Sequence, residues 1–170
     1  ERLRAARATP RLDWDLGPGA SVDDSGNVFL VALAFNNPPN ATRIGIAVYK
    51  STDGGQTWSV PKLIHTNPSD DKQWAAGDTN PRSPFHGRVY APWDGPGGLC
   101  FARTLDHGGT WIGAGAAPAG TAIAPISFSP EVNVDADGTV YIIFRDSDVG
   151  KEIRMVKSTD GGNSFHAATS

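Results

Sequence analysis

Asp70-Asp71-Lys72-Gln73-Trp74, Trp93-Asp94 ahead of Gly95-Pro96-Gly97-Gly98, and Arg145-Asp146-Ser147-Asp148 with Lys151 set carboxylates, aromatic rings and cations side by side. Asn36, Asn37 and Asn40 around Pro38-Pro39, and Asp13-Trp14-Asp15, add to them. Paired carboxyl groups can act as acid and base across a glycosidic bond. A guanidinium takes a carboxylate bidentately, and an indole offers an apolar face with a polar edge. On these grounds Arg145, Asp146, Asp71 and Glu131 are candidates for catalysis, without assigned roles, and Trp74, Trp93, Asp94 and Arg145 are candidates for substrate binding. The Arg145-Asp146 pair, at the end of an apolar run, stands first among them. Solvated loops have the same composition, so each residue taken singly also reads as plain surface.

A second set of aspartates has another logic. Ser51-Thr52-Asp53-Gly54-Gly55-Gln56-Thr57-Trp58, Thr104-Leu105-Asp106-His107-Gly108-Gly109-Thr110-Trp111 and Ser158-Thr159-Asp160-Gly161-Gly162-Asn163-Ser164-Phe165 superimpose as Ser/Thr-x-Asp-x-Gly-x-Ser/Thr-aromatic. The aspartates recur after 53 and then 54 residues. In a tight turn an Asp accepts hydrogen bonds from backbone N–H groups a residue or two onward. Glycine two residues after the Asp permits positive φ, and the closing aromatic packs back across its hairpin. Asp53, Gly55, Trp58, Asp106, Gly108, Trp111, Asp160, Gly162 and Phe165 are therefore structural.

These positions need strands to hold them. Val28 to Phe35, Val89 to Trp93 and Val140 to Phe144 are short apolar runs of buried-strand type, and Arg43 to Lys50, Leu99 to Arg103 and Glu152 to Lys157 each lead into a repeated turn. A further strand follows, clearest at Ser59 to Ile64. Upstream, Asp23-Asp24-Ser25-Gly26-Asn27, Gly77-Asp78 to Gly87, and Asp135 to Thr139 read as turns between the first two strands of each unit. Four antiparallel strands repeated at about 50 residues are propeller blades. The chain is expected to be all-β: a partial β-propeller of about three four-stranded antiparallel blades. Residues 1–13 form an N-terminal arm, rich in arginine. Residues 14–170 form the blades, roughly 14–66, 73–118 and 126–170.

Turns of this sequence between the third and fourth strands of successive blades resemble the Asp boxes of the sialidase (neuraminidase) superfamily, or BNR-repeat proteins. The resemblance runs from about Trp14 to Phe165. It implies a glycan-acting propeller, part of an exo-glycosidase, with its substrate on the face opposite the Asp boxes. It equally admits a non-catalytic, lectin-like or interaction propeller, because the fold hosts all of these. The family's Arg-Ile-Pro segment is missing, since Arg43-Ile44 is followed by Gly45. Its Tyr/Glu pair is not found either: Tyr49, Tyr90 and Tyr141 lie in strands as packing residues, and only Glu1, Glu131 and Glu152 are available. Three blades do not close a ring, so remaining blades are expected from the parent chain or a second copy.

Composition narrows the classes. A net charge of −3 gives no nucleic-acid signature, and no apolar run reaches membrane-spanning length. A carbohydrate ligand is the expected partner, with a secreted or extracytoplasmic setting, though no signal segment is seen. Cys100, the one cysteine, is read as a buried inert thiol. His65, His86, His107 and His166 stand apart without ligand spacing, so no metal and no cofactor are assigned.

Overall fold

The computed structural model describes residues 19–36, 42–146 and 152–170, together with the backbone of 11 and 12. The first sheet holds β1 (Arg11–Leu12), β2 (Gly19–Val22), β3 (Val28–Phe35), β4 (Arg43–Ser51) and β5 (Lys62–His65). Both β1 and β2 pair with β3, at its far and near ends. Arg11–Leu12 thus joins the sheet, although it falls in the segment assigned to the terminal arm. The second sheet runs β6 (Ala76–Gly77), β7 (Val89–Gly95), β8 (Gly98–Thr104) and β9 (Thr121–Ala124). The third runs β10 (Glu131–Val134), β11 (Val140–Arg145) and β12 (Ile153–Ser158), with a single bridge from Met155 to Thr169 in place of a fourth strand. All pairings are antiparallel, and no helix occurs among the described residues. The chain is a partial β-propeller whose sheets do not close.

The middle blade shows why these sequences make blades. Successive side chains of a strand point to opposite faces. Val89, Ala91 and Trp93 of β7, with Cys100 and Ala102 of β8, pack on Phe29, Val31, Leu33, Ile46 and Val48 of the first blade. The alternate residues Tyr90, Leu99 and Phe101 pack on Val132, Val140, Ile142, Phe144 and Val156 of the third. A sheet buried on both faces needs apolar residues in both registers, hence the unbroken apolar runs. Cys100 is buried in the first of these interfaces, and burial pushes its thiol up to about 11, beyond reactive range. The innermost strands approach closely. A Cβ on Gly19 would lie 2.6 Å from the Ala75 backbone nitrogen, and one on Gly77 would lie 1.9 Å from the Val22 carbonyl oxygen.

Candidate functional site

The three repeated turns form one network. The Ser51, Thr104 and Ser158 hydroxyls donate to Oδ1 of Asp53, Asp106 and Asp160 at 2.7, 2.9 and 2.7 Å. Each hydroxyl also accepts the N–H of Gly55, Gly108 or Gly162, at 2.9, 2.8 and 2.8 Å. The same Oδ1 accepts the N–H of Thr57, Thr110 or Ser164, and Oδ2 accepts that residue's hydroxyl. The N–H therefore comes from four residues onward, not one or two, because the carboxylate spans the whole loop. Gly55, Gly108 and Gly162 have φ of 89°, 87° and 78°. Hydrogen bonds led by the Thr57 hydroxyl hold Asp53 down to about 2. Burial works upward on Asp160, but Ser164 and Ser158 outweigh it and it too falls to about 2.

These turns also couple blades. The closing aromatics do not all fold back on their own hairpins. Trp111 meets Phe29 of the first blade edge-on at 6.2 Å, and Phe165 meets Phe101 of the second at 4.8 Å. Trp58 instead lies over its own turn, its Cζ2 3.6 Å from where a Cβ on Gly55 would stand. The cation preceding one turn grips the next: Lys50 Nζ donates to the His107 carbonyl and an Arg103 Nη1 to the Gly161 carbonyl, both at 2.8 Å. All this stands at the rim that carries Asp23–Asn27 and the 78–87 loop, since His107 reaches Asp23 and the Asn80 amide reaches the Ala136 carbonyl.

At the other ends of the strands lies a different assembly. Arg43, at the start of β4, donates to the Asp70 carbonyl at 2.8 Å and stands 3.2 Å from the Asp71 carboxylate. Asp71 and Asp94 exchange two backbone hydrogen bonds of 2.8 Å. The Asp94 carboxylate then accepts the Ser127 hydroxyl at 2.6 Å and the Ser129 N–H at 2.9 Å. Arg145 continues the line, its N–H on the Phe128 carbonyl at 3.0 Å and its guanidinium 4.8 Å above the Phe128 ring. Asp71, Asp94 and Arg145 are thereby brought onto one rim with Arg43. The sequence reading met Arg43 only as the start of a strand and of an incomplete Arg-Ile-Pro segment and passed over Ser127 and Ser129, because nothing in their spacing connects them to Asp71 or Asp94.

The carboxyl groups here behave unlike those in the turns. Burial raises Asp94, aided by the charge of Asp71, and outweighs its hydrogen bonds to Ser127 and Ser129. Burial likewise raises Asp70, which is fully enclosed and holds His65 Nδ1 at 2.7 Å and Trp93 Nε1 at 3.0 Å. That bond explains Trp93: the ring is 0% exposed, so it has no face left for a ligand, contrary to its expected binding role. Trp74, 42% exposed, keeps a free face. Asp146 is buried rather than presented, with Arg154 Nε 2.9 Å from its Oδ2, beside a cavity of about 40 Å³ that is smaller than a sugar ring. Glu131 is exposed at the start of β10, paired in register with Ile143. Tyr90 is wholly enclosed and burial pushes its hydroxyl up, as burial also does for Tyr49. Asp13, Trp14, Asp15, Asn37, Asn40, Ser147, Asp148 and Lys151 lie outside the described residues.

Solved structures of glycan-acting enzymes share this fold. A protein of unknown function from Dyadobacter fermentans matches with a TM-score of 0.63 at 19% identity, over 89% of this chain and 49% of its own. The Hadza microbial sialidase Hz136 matches at 0.56 and 18% identity, over 87% and 32%. The α-L-arabinofuranosidase Arb93A from Fusarium graminearum matches at 0.59 and 14% identity, over 95% and 50%. The chain spans half the length of these structures or less. No family model matches the sequence, and no curated protein does. Among the described residues no helix is long and apolar enough to cross a membrane.

Proposed function

We propose that this chain is part of a sialidase-like, glycan-acting propeller, an exo-glycosidase whose substrate sits on the rim opposite its Asp boxes. The observation that carries the reading is the convergence there of Arg43, Asp71, Asp94 and Arg145 from three blades. Asp94, kept protonation-prone by burial, is suited to donate a proton to a leaving oxygen, and Asp71 to carry the complementary negative charge. Arg43 and Arg145 supply cations for an acidic sugar, and the free face of Trp74 a stacking surface. Asp146 acts from beneath, holding Arg154, and Glu131 is the remaining exposed carboxylate on the inner strand. The remaining blades come from the parent chain or a second copy. Such a substrate goes with a secreted or extracytoplasmic setting.

The test is turnover of fluorogenic sialoside and arabinofuranoside substrates by the intact protein, with Asp94→Asn alongside. Hydrolysis reduced by roughly 100-fold or more in the variant supports the reading. Equal rates in both overturn the assignment of Asp94. Enclosure of Tyr90, with Tyr49 half-buried, favours a second reading, a non-catalytic carbohydrate-binding propeller. Glycan-array binding without turnover, lost in Arg145→Ala, selects it; neither turnover nor binding rejects both.

A further inference from the structure

At the turn-bearing rim, between the first two blades, side chains far apart in sequence meet. His107 Nδ1 stands 2.9 Å from Oδ2 of Asp23 and 3.6 Å from Oδ1 of Asp24. One donor atom from each of these three residues falls within 4.8 Å of the others. His86 Nε2, from the 78–87 loop, stands 3.3 Å from the second oxygen of Asp24. Two carboxylates and one imidazole, from two separate segments, thus gather within 4.8 Å, and His86 stands against Asp24 from outside that group. We propose that Asp23, Asp24 and His107 form a binding site for a divalent transition-metal ion of the Zn²⁺ class, which fastens the second blade to the first.

Three observations support the site, none of which depends on the glycan reading. The spacing fits: bonds of about 2.0–2.1 Å in a tetrahedron put neighbouring donors roughly 3.3 Å apart, and His107 Nδ1 stands 2.9 Å from the Asp23 carboxylate and 3.6 Å from the Asp24 carboxylate. Asp23 is held as ligating carboxylates usually are: it is buried, and it accepts the Asn27 amide at 2.7 Å and the N–H groups of Ser25 and Asn27 at 3.0 and 2.9 Å. His107 occupies a place that the sister turns give to glycine. Its φ is 55°, where Gly54 and Gly161 have 73° and 66°. A side chain in that backbone region is unfavourable, and here it is the side chain that reaches across the blade interface. The imidazole donor of His107 points to a borderline ion rather than Ca²⁺, which takes oxygen.

His107→Gly is the informative variant, because glycine already serves at this position in the other two turns and the hairpin is retained. Calorimetric titration of the chain with Zn²⁺ should show one equivalent bound, a rise in Tm on loading, and a tetrahedral visible spectrum with Co²⁺. His107→Gly should weaken Zn²⁺ binding beyond the roughly 10- to 100-fold that loss of an orienting partner costs, with circular dichroism unchanged. No saturable Zn²⁺ binding, or equal affinity in His107→Gly, overturns the proposal. Binding of Ca²⁺ in preference to Zn²⁺, insensitive to His107→Gly, overturns it as well.

Discussion

Asp53, Asp106 and Asp160 sit in copies of one network, each accepting a hydroxyl from two residues before and an N–H and a hydroxyl from four residues after. Asp71, Asp94 and Asp146, at the opposite ends of the strands, have nothing in common. One faces Arg43, one takes a serine hydroxyl and a backbone N–H, and one is buried on Arg154. Repetition at one rim and divergence at the other separate scaffold from site. A staple must do the same work in every blade, whereas a ligand that lies across several blades meets each of them differently. The rims differ in titration as well, with Asp53 and Asp160 lowered in the turns and Asp70 and Asp94 raised by burial at the other rim.

The blade interfaces should show the largest effect. Phe101 is fully enclosed between the second and third blades against Phe165 and Tyr90. Phe101→Ala should cost about 3–5 kcal/mol, read from the midpoint of urea denaturation. A loss below 1 kcal/mol would mean that the blades do not share this core. Next come the turns. Thr104 is fully buried, and its hydroxyl serves both Gly108 and Asp106. Thr104→Val keeps the shape and strands those partners, so about 1–3 kcal/mol should be lost. Ser158→Ala should lose a similar amount, because the same network recurs there. If only one of the two variants were destabilised, the turns would not be equivalent staples. Asp94→Asn should give the smallest change in stability. It removes a carboxylate that burial already disfavours, and a loss comparable to Thr104→Val would move Asp94 from site to scaffold.

How far the sequence was legible follows the same line. Most strands were readable to within a residue or two: Val28 to Phe35 matches β3 and Arg43 to Lys50 stops one residue short of β4, but the strand expected over Ser59 to Ile64 runs only from Lys62 to His65. Alternation and repetition are local signals, carried by each unit on its own. The turn networks were readable in kind, since Ser/Thr, Asp and Gly at fixed offsets have few ways to close. The reach of the aromatics to the preceding blade was not readable, because it depends on how sheets stack. The same holds for Trp93. An aromatic beside a Pro/Gly loop looks available until Asp70, 23 residues earlier, is seen to accept its N–H. Arg43 was not read as a site residue because its partners Asp70 and Asp71 lie across a connection whose path no spacing rule specifies. His86 and His107 looked isolated for the same reason, although both point at Asp24.

The division between rims is tested most directly by a carboxyl NMR titration of the aspartates. Asp53 and Asp160 should titrate at about 2, and Asp70 and Asp94 above the ordinary 3.8. The stability signs are opposite. What the turns contribute is lost as pH falls from 3.8 through the folded values near 2, whereas protonation relieves Asp70 and Asp94. Midpoints for Asp53 and Asp160 at or above 3.8, with Asp94 below it, would contradict the account and return the turn aspartates to candidacy for chemistry.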